Sequence, residues 1–91
     1  MFYLVSYDIP DDATRTKIFK LLEDFGKRVQ FSVFECILDD KRLKEMTERI
    51  KKLIDVQKDS VRIYALCAAC TKLVKILGLG ELTEDKEVYI I

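Results

Sequence analysis

The stretch FYLVSYDIPDDATR, residues 2–15, decides how this chain folds. Its first seven residues, Phe2–Asp8, are mostly aromatic and branched, as is typical of a buried β-strand. The turn that follows ends the strand, and Asp11 or Asp12 is placed to cap a helix, with Pro10 just before it. The stretch therefore predicts a strand, a tight turn and a helix in immediate succession.

The helix predicted after this turn covers Ala13 to Phe25. Its apolar residues recur at helical spacing: Ile18, Leu21, Leu22 and Phe25. Gly26 follows where a C′ glycine would end a helix. The next segment, RVQFSVFECIL at residues 28–38, is rich in β-formers. It predicts two short strands around Gln30–Ser32, although one bent strand is an alternative.

The second half of the chain repeats the alternation of helix and strand. Asp39 and Asp40 are placed to cap a longer helix, whose apolar stripe is Leu43, Met46, Ile50, Leu53 and Ile54. Ser60–Leu66 predicts a strand and Cys67–Leu77 a short helix, which Gly78–Gly80 breaks. Glu87–Ile91 (EVYII) predicts a final strand. The order β-α-β-β-α-β with an extra C-terminal strand predicts an α+β, ferredoxin-like sandwich forming one domain over residues 1–91.

The strands also predict a dimer, because they are apolar on both faces. Ser6 is the one clearly polar residue in 2–7, and Glu35 the one in 33–38. Two helices can cover one face of a sheet, so the other face needs a partner, and a second copy is the economical one. We expect the tail, about residues 80–91, to pair as a strand with a sheet edge, its own or the partner's.

Composition excludes several classes of function. The 91 residues include 16 basic and 16 acidic residues, so bulk attraction to nucleic acid is not expected, although Arg15–Arg28 is locally basic. Histidine is absent, which excludes imidazole bases and histidine metal ligands. No apolar stretch approaches the roughly 20 residues of a membrane span, and no signal-type segment is present, so we expect a cytoplasmic protein without membrane contact.

Asp8 is the first candidate for chemistry. It ends the first strand at a turn into a helix, where ligand sites gather in open sheets, and it follows apolar residues. A turn-forming or capping role is one interpretation. The other is a metal ligand, because two copies across a dimer axis would place two carboxylates together and attract a divalent cation.

Arg15 is the second candidate. A basic residue near the start of a helix does not favour the helix dipole, so we expect it to bind phosphate or to pair with Asp8 or Asp11. Other basic residues could extend the same face, although an ordinary charged helix surface explains each of them alone: Lys17, Lys20, Lys27 and Arg28.

The remaining chemical signals favour packing. Cys67-Ala-Ala-Cys70 has the spacing of half a zinc site or a redox pair, but Cys36 is the one further cysteine, and we expect two small packing residues. Four aromatic residues are expected in the core rather than as base-stacking platforms: Tyr3, Phe31, Phe34 and Tyr64.

Several of these motifs together resemble the CRISPR-associated protein two family. The matching residues run over nearly the whole chain: Tyr7-Asp8-Ile9, Asp11-Asp12, Arg15, Gly26, Arg28–Glu35 (RVQFSVFE), Ser60–Tyr64 and the Gly78–Gly80 break. The resemblance implies a ferredoxin-like homodimer whose terminal strand completes the partner's sheet. It also implies a role in CRISPR spacer acquisition for antiviral defence, in which the dimer joins two dimers of the integrase subunit and holds spacer DNA.

The resemblance further implies site residues and a cofactor. Some members of the family are metal-dependent endonucleases on single-stranded RNA or duplex DNA. By position, Asp8 matches the family's magnesium-binding aspartate, and Arg15, Arg28 and Phe34 match positions implicated in activity, while Lys17 stands where some members have arginine. The expected cofactor is Mg²⁺ or another divalent cation such as Mn²⁺. One carboxylate per chain is few for a metal-dependent nuclease. A non-catalytic adaptor that bridges integrase dimers and binds DNA is therefore the alternative function. A regulatory dimer that binds a small molecule is a third hypothesis.

Overall fold

The computed structural model of the chain describes residues 1–84. Its strands are β1 (Phe2–Asp8), β2 (Lys27–Gln30), β3 (Val33–Ile37) and β4 (Ser60–Leu66), and its helices are α1 (Asp12–Glu23), α2 (Asp40–Leu53) and α3 (Ala68–Thr71). The α+β class is confirmed, and residues 2–66 follow the predicted order of elements. The predicted strand Glu87–Ile91 lies outside the described residues, and the described part of the tail, residues 80–84, contains no strand.

The four strands form one antiparallel sheet in the order β2-β3-β1-β4. Strand β1 is central, so Val5 lies between Phe34 of β3 and Ile63 of β4. The β1–β4 pairing continues to Asp8, opposite Ser60, which places Asp8 at one end of the sheet. Residues 28–38 form two strands that separate at residues 31–32, as the favoured interpretation predicted.

Helices α1 and α2 cover one face of this sheet and build the core there. The side chains without solvent exposure come from both layers: Val5, Ile18, Leu22, Phe34, Cys36 and Met46. Every residue of the two predicted apolar helix stripes is buried or packs against the core. The periodicity of the sequence therefore identified the buried side of both helices.

Each long helix begins at a capping aspartate. The Asp11 carboxylate accepts hydrogen bonds at 2.8 Å from the backbone N–H and the hydroxyl of Thr14, and the Asp39 carboxylate accepts one at 2.8 Å from the backbone N–H of Arg42. These bonds satisfy N–H groups that the first helical turn leaves without a partner. The bond from Thr14 also lowers the pKa of Asp11. Asp12 lies in the first turn instead.

Gly26 has a different role from the predicted one. Helix α1 ends with Asp24 as its C-cap, two residues before Gly26, and positive φ angles among residues 1–84 occur at Gly78 and Gly80 instead. A Cβ atom at residue 26 would overlap the carbonyl oxygen of Glu35 and lie 2.5 Å from Cys36 Sγ. Glycine is needed there because the chain enters β2 in close contact with β3.

The opposite face of the sheet is covered in part by the chain that follows β4. Helix α3 ends at Thr71 rather than at Leu77, since the residues after it bury no apolar stripe that would hold a longer helix. The chain then crosses the sheet, and Thr83 donates two hydrogen bonds to Glu35 Oε1, at 3.0 Å from its backbone N–H and 2.7 Å from its hydroxyl. Leu77 and Leu79 are fully or almost fully exposed. Within residues 1–84, no helix has the length and apolar character needed to cross a membrane.

Candidate functional site

A groove of about 490 Å³ lies where β1 ends and α1 begins. Its lining residues come from the end of β1 and the following turn, from α1, and from the β2–β3 hairpin: Tyr7, Asp8, Ile9, Arg15, Thr16, Phe19, Arg28, Phe31 and Ser32. Three of the four predicted site residues therefore meet here, namely Asp8, Arg15 and Arg28. The fourth, Phe34, does not line the groove.

Asp8 is the one acidic residue that lines this groove. It is the last residue of β1, its side chain is exposed, and it belongs to none of the ion pairs formed within residues 1–84. Asp11, rather than Asp8, caps α1. The capping part of the turn-forming or capping interpretation of Asp8 is therefore wrong, the turn-forming part stays a prediction, and the exposed carboxylate can be reached by a ligand.

Arg15 holds the turn that follows Asp8. Its Nη1 donates to the carbonyl oxygens of Ile9 at 2.9 Å and Pro10 at 3.4 Å, and its Nη2 pairs with the Asp12 carboxylate. The expected pairing with Asp8 or Asp11 is thus wrong. A guanidinium has five N–H donors, and 45% of this side chain is exposed, so Arg15 retains donors for an anion in the groove.

Arg28 reaches the groove from the hairpin and lies over an aromatic floor. Its guanidinium carbon is 5.1 Å from the centre of the Phe19 ring, a cation–π distance. Phe19 meets Phe34 edge-to-face at 5.7 Å, and Tyr7 lies 6.4 Å from Phe34. Phe34 has no exposed surface. The core prediction for Phe34 is confirmed, and this side chain lies beneath the groove; the part in activity that the resemblance implies for it stays a prediction.

Phe31 is the groove residue that sequence reasoning missed. It was expected in the core, but it stands at the tip of the β2–β3 hairpin with 93% of its surface exposed. Tyr64, also expected in the core, is 46% exposed, whereas Tyr3 is buried as predicted. The signal for Phe31 was its position inside the predicted break at Gln30–Ser32, because a residue in a two-residue turn has no sheet face to bury it.

Tyr7 fixes the hairpin tip to the sheet. Its hydroxyl donates a 3.3 Å hydrogen bond to the carbonyl oxygen of Phe31, and its backbone N–H donates to Ser32 at 3.0 Å. Burial raises the pKa of the Tyr7 phenol, while the nearby Arg28 and Arg15 act in the opposite direction. Tyr7 therefore stays protonated at neutral pH and serves as a donor, not as a base.

The other basic residues of the Arg15–Arg28 segment do not line this groove. Lys17 and Lys20 line a separate groove between α1 and α2, together with Arg49 and Lys52. Lys27 lines clefts on other parts of the surface. The three lysines of the segment therefore do not extend the Arg15 face at this groove, which agrees with an ordinary charged surface, and the positive charge of the candidate site comes from its two arginines.

The donor set at Asp8 fits a hard divalent cation in part. Within residues 1–84, no group of three or more Asp, Glu, Cys or His side chains is arranged to hold a metal ion. Mg²⁺ is commonly bound by one or two carboxylates and keeps several water molecules. An exposed carboxylate at the mouth of an open groove meets that requirement with water, or with the same residue from a second copy.

Fold and groove together define a small α+β protein with a charged groove at the end of its sheet. The model of the family "CRISPR associated protein Cas2" matches residues 1–74, and the chain belongs to this family. It is 46% identical to "CRISPR-associated endoribonuclease Cas2 1" of Chloroflexus aurantiacus, over 100% of both chains. It is 44% identical to "CRISPR-associated endonuclease Cas2 2" of Thermus thermophilus, over 98% of this chain and 94% of that one.

Solved structures agree with this assignment. The crystal structure of Streptococcus pyogenes Cas2 at pH 6.5 superposes with a TM-score of 0.76 at 34% identity, covering 86% of this chain and 100% of the other. A chain of a structure described as a partial Cas6-RT-Cas1–Cas2 complex superposes with a TM-score of 0.74 at 31% identity, covering 84% and 83%. The fold of residues 1–84 is therefore the fold of this family.

Proposed function

We propose that this chain is a divalent-cation-dependent nuclease that hydrolyses phosphodiester bonds in RNA or DNA in the cytoplasm, with Asp8 as its metal ligand. The observation that carries the proposal is the meeting of one exposed carboxylate and two arginines in a single groove. The names of its relatives, endonuclease and endoribonuclease, support the same class of reaction.

Each groove residue has a distinct role in this proposal. Bound Mg²⁺ or Mn²⁺ would polarise a phosphate and lower the pKa of a water molecule. The Asp8 carboxylate would fix the cation, while the exposed N–H groups of Arg15 would neutralise charge that develops on the phosphate oxygens. Arg28, held over Phe19, would bind a neighbouring phosphate of the strand.

We infer that the working unit is a ferredoxin-like homodimer with Asp8 contributed by both copies. The support is the sheet face opposite the helices, where the apolar residues Leu4, Val33 and Leu79 line a cleft of about 570 Å³ together with charged residues at its edges. Leu79 is fully exposed, and a second copy would bury such surface. We expect the tail to complete a sheet edge of the partner.

Light scattering at micromolar concentration tests the dimer. We expect two copies for the wild type and a shift toward one copy when residues 87–91 are deleted, with the helical signal preserved. A well-behaved wild-type monomer would contradict the dimer and, with it, the paired Asp8 site.

A non-catalytic adaptor is the second candidate function. A single acidic residue in the groove favours it, since metal nucleases commonly use several. The match to a chain in a Cas1–Cas2 complex favours it as well. In this role the dimer would join two integrase dimers and hold spacer DNA through Arg15 and Arg28, and Asp8 would be dispensable.

Asp8→Asn separates the two candidates because it keeps the shape and removes the charge. Cleavage of single-stranded RNA and of duplex DNA is measured with Mg²⁺, with Mn²⁺ and with a chelator. A nuclease should lose about 10²-fold or more in rate, which corresponds to the loss of about 2.7 kcal/mol or more of the transition-state stabilisation that a metal supplies. The matched control is Asp40→Asn, an exposed carboxylate in the first turn of α2, which should cleave like the wild type.

If the chain is a non-catalytic adaptor, the same variants should give a different result. Asp8→Asn should then support integration of spacer DNA by the partner integrase at the wild-type rate. Equal cleavage by wild type, Asp8→Asn and Asp40→Asn would remove Asp8 from the mechanism and indicate a contaminating nuclease.

A further inference from the structure

Two exposed thiols lie together at the end of the sheet opposite the groove. Cys67 follows the last residue of β4, and Cys70 lies in α3, one helical turn later. Their Sγ atoms are 3.3 Å apart, and both side chains are exposed. The expectation of two small packing residues is therefore wrong, because neither thiol belongs to the core.

The backbone between the two cysteines already has the shape that a bond between them requires. The backbone N–H of Thr71 donates to the carbonyl oxygen of Cys67 at 3.0 Å, which closes the turn. The backbone N–H of Cys70 lies 3.4 Å from Cys67 Sγ and donates to it. The sulfur atoms need to approach from 3.3 Å to about 2.0 Å, the length of a disulfide, and side-chain rotation within this closed turn supplies that movement.

The two thiols differ in acidity. The hydrogen bond from the Cys70 backbone N–H lowers the pKa of the Cys67 thiol, while the hydrogen bond between the two side chains raises the pKa of the Cys70 thiol. The thiolate is the nucleophile in disulfide exchange. Cys67 is therefore the attacking residue, and Cys70 is positioned to resolve the intermediate.

We propose that Cys67 and Cys70 form a reversible dithiol–disulfide pair that exchanges with small disulfides of the glutathione class. The Cys67 thiolate attacks one sulfur of the disulfide, forms a mixed disulfide and releases the first glutathione thiolate. Cys70, losing its proton to solvent, then attacks Cys67 Sγ and releases the second. The protein dithiol loses two electrons, and one glutathione disulfide becomes two thiols.

Cys36 provides an internal control for this chemistry. It has no exposed surface, and burial, together with the neighbouring Glu35 charge, raises the pKa of its thiol to about 11. A buried thiol that stays protonated at neutral pH is inert toward disulfides. Each molecule thus carries two thiols that should react and one that should not.

The test is to equilibrate the full chain anaerobically with mixtures of reduced and oxidised glutathione, quench with acid, alkylate in denaturant and measure the mass. The wild type should pass in one two-electron step from three alkylated thiols to one, and dithiothreitol should restore all three. Peptide mapping should place the bond between Cys67 and Cys70.

Single substitutions test the order of attack. Cys70→Ser, which has lost the resolving thiol, should accumulate one glutathione as a mixed disulfide on Cys67. Cys67→Ser should form its mixed disulfide more slowly, because it has lost the thiol whose pKa the backbone N–H of residue 70 lowers, whereas Cys70→Ser keeps both that thiol and that hydrogen bond. Equal rates in the two variants would overturn the assignment of Cys67 as the attacking residue.

Three results would overturn the pair itself. The first is full alkylation of the wild type in the most oxidising mixture. The second is a wild type that accumulates the mixed disulfide as Cys70→Ser does. The third is purified protein that carries about one zinc ion per chain and is protected from alkylation by it, since the cysteines would then be metal ligands.

Discussion

The rim of the groove and the buried aromatic layer beneath it, which we call its floor, each contain a phenylalanine, and the two rings differ in what surrounds them. Phe34 and Phe31 are three residues apart, yet Phe34 has no exposed surface while Phe31 is 93% exposed. The difference arises because Phe34 lies on the helix-covered face of β3, whereas Phe31 occupies the hairpin turn. Residues of the floor stabilise the fold, whereas residues of the rim are exposed and can contact a ligand.

This comparison changes how the site residues of the family apply to this chain. Asp8, Arg15 and Arg28 are on the rim, so their substitution should alter binding or cleavage while the fold survives. Phe34 is on the floor, so its substitution should act through stability. The four positions that the resemblance grouped together therefore divide into two classes.

The largest expected effect is that of Phe34→Ala. Removing a fully buried ring should lower the free energy of unfolding by about 3–5 kcal/mol, through lost burial and the cavity that is left. Urea denaturation at one fixed protein concentration measures it, and Phe34→Leu, which refills much of the space, should lose less. A Phe34→Ala protein with wild-type stability but no nuclease activity would place Phe34 on the functional side of the comparison.

Phe31→Ala should weaken binding and leave stability unchanged, the reverse of what we expect for Phe34→Ala. An exposed aromatic ring at the mouth of a charged groove can stack on an unpaired base, a contact of about 1–3 kcal/mol per base. We expect binding of single-stranded RNA to weaken about tenfold, within that range, while the urea midpoint stays unchanged. Phe31→Tyr should retain wild-type affinity. Unchanged affinity together with dissociation of the dimer would show that Phe31 contacts a second copy instead.

Arg15 tests the boundary between the two classes because it both holds the turn after Asp8 and faces the groove. Arg15→Lys keeps the charge but cannot hold Ile9, Pro10 and Asp12 at once, since a lysine ammonium lacks the guanidinium fork. Cleavage should therefore fall severalfold, while the salt dependence of nucleic-acid binding is preserved. Arg15→Ala should in addition reduce the slope of log binding constant against log salt concentration by about 1, the value expected for the loss of one phosphate contact. Wild-type cleavage by Arg15→Lys would show that charge alone matters.

Most of the fold, but only part of the site, could be predicted from the sequence. Helix stripes, capping aspartates and the split of residues 28–38 follow from local patterns, and all are present in the structure. The pairing of Arg15 with Asp12, three residues before it, is local, and so is the exposure of Phe31 in its turn, but local patterns left the acidic partner of Arg15 open. The contact between Gly26 and β3 instead depends on how distant segments meet, which periodicity does not encode. The same is true of the Cys67–Cys70 pair, whose spacing was visible but whose exposure was not.

The central claim is that Asp8 binds a divalent cation at the groove end of the sheet, and paramagnetic broadening by Mn²⁺ tests it most directly. In the ¹⁵N-labelled protein, Mn²⁺ should selectively broaden the amide signals of Asp8, of Ile9 and of Ser60, which lies opposite Asp8 in the sheet. The amides of 67–71, about 20 Å away along β4, should stay sharp. Asp8→Asn should abolish the selective broadening. Broadening that is unchanged in Asp8→Asn, or that is centred elsewhere, would contradict the account.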